Sequence, residues 1–151
     1  PPVRLRRDHR ARGRLMADLD TLGVVSASER GAELTLKHPA TGEDTDIVVN
    51  VLGFDAEVVV QAGREFDRAE SKRTKEEREA DDESPLLRRN IVLAKAAVTG
   101  WRNVQRGKKD VPFSKEASAE ILEAPDFVWM VHQVCAFGTK RGNFFPKASH
   151  D

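Results

Sequence analysis

His132 and Cys135 stand three residues apart in "DFVWMVHQVCAFG", a spacing that puts two side chains of a helix within reach of one ion. A structural zinc site needs four ligands, and neither His9 nor His38 is placed to complete one. The pair therefore reads as a buried thiol beside a partly exposed imidazole. Asp81-Asp82-Glu83 offers oxygens that would hold a divalent cation weakly, but it lies in a long run of charge and reads as a solvated face. "RGKKD", residues 106–110, joins a glycine to two lysines. It lacks the Walker spacing and the Ser or Thr that would bind the metal of a nucleotide. No G-x-S-x-G elbow and no H-E-x-x-H pair occurs, and tyrosine is absent. The expectation is a protein that works through a surface: no enzyme, no catalytic residue, no cofactor and no metal.

Nucleic acid is the other chemistry that these residue types could serve. The basic residues are Arg88 and Arg89 on a helix whose other face is apolar, Arg102 and Arg106 bordering Trp101, and Lys108 and Lys109, and an aromatic ring with a basic rim can stack a base. No reading helix or RNP-type pattern accompanies them, so this remains an alternative. Charge distribution also bears on it. Residues 1–15 carry six Arg and one Asp, a charge of +5, and because the whole chain sums to zero the rest carries −5. The leader has no apolar core of the secretory kind. It reads as a disordered basic leader from upstream translation or vector sequence, with Met16-Ala17-Asp18 as the start. A transit peptide or a nucleic-acid-binding arm is the other option. A mildly acidic remainder disfavours nucleic acid as the main partner.

The elements that must position these residues belong to a single domain over 16–151. A chain of 151 residues, 39% hydrophobic and 33% charged, builds a modest core under a charged exterior. No apolar run approaches the ~18 residues of a membrane span, and one cysteine excludes an internal disulfide and fits a reducing compartment. "AELTLKH" alternates, "PATGED" turns and "TDIVVNVLG" is rich in β-branched residues, which together predict a β-hairpin. A helix follows, with Asp55 as its cap, Phe54 stapled to Val59, and Val59, Ala62, Phe66 and Ala69 in phase. Residues 70–84 are nearly all charged and predict a helix projecting into solvent or a mobile helical linker. Ser84 and Pro85 open a further helix. Its stripe of Leu87, Ile91, Ala94, Val98 and Trp101, ending at Gly100, marks the centre of the core. Ser114 caps a short helix that Pro125 ends, and Asp126 caps a last helix apolar at Phe127, Val131, Val134 and Cys135. The fold class is α+β: an N-terminal β-hairpin packed on a mostly helical body of about four helices.

The order Thr99-Gly100-Trp101, Gly107, Val111-Pro112-Phe113-Ser114, Glu116, Ile121-Leu122, Pro125, Gln133 and Asn143-Phe144 resembles the small tail assembly chaperones of long-tailed, siphovirus-type bacteriophages. The hairpin "LTLKHPATGEDTDIVVNVLGFDAE" resembles the beginning of many of these proteins, so the likeness covers most of 32–145. The resemblance implies a chaperone in the host cell cytoplasm that binds the tape measure protein, helps recruit tail tube subunits around it, and leaves before the virion is complete. It also implies that a longer form can arise by ribosomal frameshifting, for which Phe145-Pro146-Lys147 could encode a slippery site. Another small morphogenesis part, a head–tail connector or tail completion protein, is the runner-up.

The last helix is apolar around more of its girth than one core-facing stripe needs. The candidate partner-binding residues are therefore Trp129, Met130, Phe137, Phe144 and Phe145, with self-association also possible. The competing reading packs Trp129 and Met130 under the hairpin. Trp101 and Phe113 pin the two ends of a corner and leave "RNVQRGKK" as an exposed basic loop.

Overall fold

In the computed structural model, residues 17–146 are described. The basic leader, the Met16 start and Lys147 of the slippery-site reading lie outside them. The expected hairpin is present: β1 (Ala32–Lys37) and β2 (Asp44–Val51) pair antiparallel, Leu34 opposite Val49, with a bulge between Thr35 and Lys37. Alternation sends Leu36, Val49 and Val51 into the core, where they are almost wholly buried.

The hairpin is not a separate N-terminal unit. A third strand, β3 (Val98–Arg102), pairs antiparallel with β2 and completes a sheet of order β1-β2-β3. Among the described residues six α-helices accompany it rather than about four. They are α1 (Val24–Arg30), α2 (Glu57–Ser71), α3 (Lys75–Glu79), α4 (Pro85–Ala97), α5 (Lys115–Glu123) and α6 (Val128–Gly138). The α+β class holds, with the sheet in the middle of the helices.

The expected helix through Trp101 stops at Ala97. Val98 and Trp101 keep helical phase, but two β-branched residues and Gly100 are poor helix formers. The outer edge of β2 offers them backbone partners instead: Val49 faces Trp101 and Asn50 faces Gly100. The helix hands over directly to the sheet, since Leu52 N–H donates to the Ala97 carbonyl at 2.8 Å. The central place expected for α4 is correct, as it packs against α2, α5 and α6. Its most buried residues are Leu93, Ala94 and Ala97, while Leu87 and Ile91 are half-buried at its side.

Several end signals resolve differently from the expectation. Ser84 and Ser114 cap α4 and α5, accepting from Leu87 N–H and Ala117 N–H at 3.1 and 3.0 Å. Asp55 does not cap α2, whose N-cap is Ala56. Its carboxylate takes the Arg141 guanidinium, at 2.6 and 3.0 Å. Phe54 packs at the end of α6. Its N–H donates to the Gly138 carbonyl at 2.9 Å, and a Cβ on Gly138 would stand 2.4 Å from its ring. Asp126 lies in a 3-10 turn, Pro125–Phe127, and α6 begins after it with no side-chain cap.

The charged stretch 70–84 folds back on the body instead of projecting. Thr74 caps α3 by accepting from Glu77 N–H. Arg73 and Arg88 both contact Glu70 and Asp81, and the Arg88 guanidinium lies 5.3 Å from the Phe66 ring centre. The Arg88 side chain is only 19% exposed there. A stretch without an apolar stripe is thus ordered by ion pairs that share a partly desolvated pocket, where they are worth more than on an open surface.

Candidate functional site: a groove between the hairpin and the last helix

α6 has two faces. Met130, Val131, Val134 and Gly138 are buried, and face the sheet and α4. Trp129, His132, Gln133, Ala136 and Phe137 fall at steps of three and one, the signature of a single helical face, and this face, with Lys140 just past the helix end, lines a groove of about 610 Å³. Across it stand Leu34, Thr35 and Lys37 of β1 and the hairpin turn from His38 to Gly42. The breadth of apolar girth noted in the sequence thus divides into a packed side and an unfilled side.

Gln133 ties the two walls together. Its carboxamide oxygen accepts from Lys37 N–H and its amide donates to the Lys37 carbonyl, both at 2.9 Å. A side chain here makes the two bonds that a neighbouring strand would make. It also fixes the direction of the backbone, since Lys37 N–H and C=O turn away from β2 while His38 N–H donates back to Glu43 O at 2.8 Å. The floor is apolar, with Leu34, Trp129, Ala136 and Phe137. The charged and ionisable groups among the lining residues are Lys37, His38, His132 and Lys140, and no carboxylate is among them. Lys37 pairs with Asp44 at 2.7 Å beside the turn.

The five candidate residues separate on this geometry. Trp129 and Phe137 line the groove. Met130 and Phe144 are 6% and 5% exposed and belong to the interior. Met130 is therefore an interior residue and not an exposed anchor. Phe144 meets Phe137 edge-on, with ring centres 5.4 Å apart, and so braces a groove residue from behind. Phe145 is half-buried near the end of the described residues. Sequence reasoning missed Leu34, His38 and Lys140 as groove residues, because no local signal says that a hairpin edge will face the last helix. The i, i+3, i+4 pattern from Trp129 to Phe137 was the readable trace.

The other chemical candidates disperse. His132 faces the groove, whereas Cys135 is half-buried with its Sγ 3.5 Å from Asn90 O, and burial pushes the thiol up to about 11. Among the described residues no three His, Cys, Asp or Glu side chains converge on a point that could hold a metal ion. Much of the basic set is paired with carboxylates, Arg88 in a partly buried pocket and the others at the surface. Arg88 meets Glu70 and Asp81, Arg89 meets Asp67 at 2.9 Å, Arg102 meets Glu33 at 2.8 Å, and Arg106 approaches Glu120 at 4.0 Å. Lys108 and Lys109 remain on a two-stranded hairpin, β4 (Gln105–Arg106) and β5 (Lys109–Asp110). Its two-residue turn needs positive φ at both Gly107 and Lys108, 57° and 64°. The loop expected over 102–109 is thus a tight ribbon. At its base Trp101 and Phe113 stack edge-to-face, with centres 5.1 Å apart, and the indole N–H donates to Val111 O at 2.8 Å. Those two rings close one corner together, not its two separate ends.

No helix among the described residues is long and apolar enough to cross a membrane. Comparison with protein-family models, with curated proteins and with solved structures finds no match.

Proposed function

We propose that this chain is a phage tail assembly chaperone, a protein without catalytic activity that holds the tape measure protein and helps bring tail tube subunits to it in the host cytoplasm. The observation that carries this reading is the unfilled second face of α6. An apolar floor with aromatic rings, walled by a strand edge and open to one side, suits capture of an apolar segment of another chain. Its volume lies within the ~300–1,000 Å³ of ligand-sized clefts, enough for a few anchoring side chains rather than a whole partner. Contacts of that extent are compatible with release when the tube polymerises. The order of Thr99-Gly100-Trp101, Val111-Pro112-Phe113-Ser114 and Gln133 supports the same reading through its resemblance to the chaperone family. The pairing of Arg88, Arg89, Arg102 and Arg106 with carboxylates weakens the nucleic-acid alternative.

The test is co-expression with the longest helix-coding gene of the same cluster, followed by pull-down and by mass spectrometry of purified particles. The chain should copurify with that product, lose it on Trp129→Ala combined with Phe137→Ala, and be missing from mature particles. A stoichiometric presence in particles would overturn the chaperone reading in favour of a connector or tail completion protein. Salt-sensitive nanomolar DNA binding by a chain starting at Met16 would overturn it in favour of a nucleic-acid module.

A further inference from the structure

We infer that the groove receives its partner as an added β-strand: an acidic segment with alternating apolar side chains, paired to the outer edge of β1 at Glu33 and Thr35. The inference rests on the groove being the partner-binding face and names the form and charge of what enters it. Three features of the groove point this way.

The first is the backbone. Sheet order leaves β1 at an edge. Lys37 N–H and C=O point away from β2, where Gln133 takes both. Because backbone groups along a strand alternate with a period of two, those of Thr35 and Glu33 point the same way. No side chain or strand among the described residues takes them from that side. The molecule therefore presents a strand edge satisfied at one end by a carboxamide and open beside it, a template for strand addition.

The second is the floor. An added strand sends alternate side chains to the core-facing side of the sheet. Leu34 shares that side with buried Leu36, and Trp129 and Phe137 face it across the groove. Alternating apolar residues of the partner have somewhere to go.

The third is charge. The charged lining residues are Lys140 and Lys37, the latter already paired with Asp44 at 2.7 Å, and no carboxylate is among them. The acid on β1 itself, Glu33, is turned to Arg102 of β3 at 2.8 Å. Aspartate or glutamate in the partner would meet Lys140 and the shared charge of Lys37, whereas lysine would meet like charge.

The test uses the full chain and short synthetic peptides that alternate glutamate with valine and phenylalanine. Binding is read by calorimetry and by amide exchange of Glu33 and Thr35. The acidic peptide should bind and slow exchange at those two amides. N-methylation of alternate peptide nitrogens, those that would donate to β1, should weaken binding at least about tenfold, the loss expected from one or more hydrogen bonds. A lysine-for-glutamate version should bind at least about tenfold more weakly. Thr35→Pro, which removes an outward N–H at an edge position where proline is tolerated, should act like N-methylation on the protein side. If Thr35→Pro unfolds the chain, the N-methylated peptide still decides.

Equal binding of methylated and unmethylated peptides, or of lysine and glutamate versions, overturns the proposal. So does tighter binding of a helix-stapled peptide of the same composition, a result that would leave the chaperone reading intact with a helical cargo. A chain that dimerises through β1, loses the dimer on Thr35→Pro and ignores the peptides would make a second copy the occupant and overturn it as well. Conversely, strand binding without any capture of the tape measure product would sink the chaperone reading alone.

Discussion

The two faces of α6 share one backbone, yet they are held to different standards. On the inner face Val131 and Val134 are fully buried and Gly138 is packed so closely that Phe54 occupies the space a side chain would need. On the outer face Trp129 and Phe137 keep partial exposure above a groove that nothing in the described chain fills. Close packing makes the first face intolerant of any change in volume. The second is constrained by what it leaves open, since filling it would gain burial and lose the groove.

The contrast breaks most sharply at two neighbouring residues. Met130→Ala should cost about 2–5 kcal/mol, the range for truncating a buried methionine, seen as a fall in the urea midpoint with unchanged m-value. Trp129→Ala, one residue earlier, should cost clearly less in the same assay while weakening the capture proposed for the groove. A stability loss at Trp129 equal to that at Met130 would mean that the outer face is core after all.

The next effect tests how tightly the inner face is closed at its end. Gly138→Ala places a Cβ 2.4 Å from the Phe54 ring, so the ring or the helix must shift. Overpacking of this kind costs about 1–3 kcal/mol. The alanine would otherwise favour the helix by up to ~1 kcal/mol, so a net loss would show that the close approach outweighs propensity. Phe54→Ala in the same chain should relieve the clash, giving a double mutant more stable than the two single losses predict.

A smaller loss is expected at the join between the faces. Gln133→Ala removes two hydrogen bonds to Lys37, each worth about 0.5–1.5 kcal/mol net. Water can replace them at this exposed site, so the total should stay near ~1 kcal/mol. The sharper readout is local, with faster amide exchange at Lys37 and little change at Val49 or Val51.

Much of this architecture was legible in the sequence where a signal was local. The hairpin followed from alternation around Leu34 and Leu36, and the caps at Ser84 and Ser114 from residue type and position. The wide apolar girth of the last helix pointed to its double role. What stayed hidden depended on partners distant in sequence. Val98 and Trp101 kept helical phase, and only the free edge of β2 drew them into a strand. Asp55 looked like a cap until Arg141, 86 residues later, supplied a stronger partner. Residues 70–84 had no apolar stripe, so their order comes from polar contacts, chiefly Arg73 and Arg88 meeting Glu70 and Asp81. α1, with Ala27 and Ser28 buried, is short and weakly patterned, and its docking is a tertiary fact: Arg30 donates to Phe144 O at 3.3 Å. The groove belongs to the same class, because half of its wall comes from the hairpin nearly a hundred residues before the helix.

The smallest effect concerns the ion pair at the end of α6, where an apolar contact and a charged one fasten the same corner. The hydrogen bonds from Arg141 to Asp55 hold the carboxyl below its ordinary value of 3.8, against an opposing push from burial. A lowered folded-state value means that the pair stabilises the fold at pH above about 4 and ceases to do so as the carboxylate is protonated further down. Arg141 is largely solvent-exposed, so the contribution should be small and screened by solvent. Asp55→Asn should therefore lower the urea midpoint slightly at pH 6, and the gap between variant and parent should close as the pH falls toward 3. It should also shrink in high salt, whereas the loss from Gly138→Ala should not. A pH-independent gap would show that Asp55 acts through backbone geometry in the turn before α2, and the corner would then rest on Phe54 and Gly138 alone.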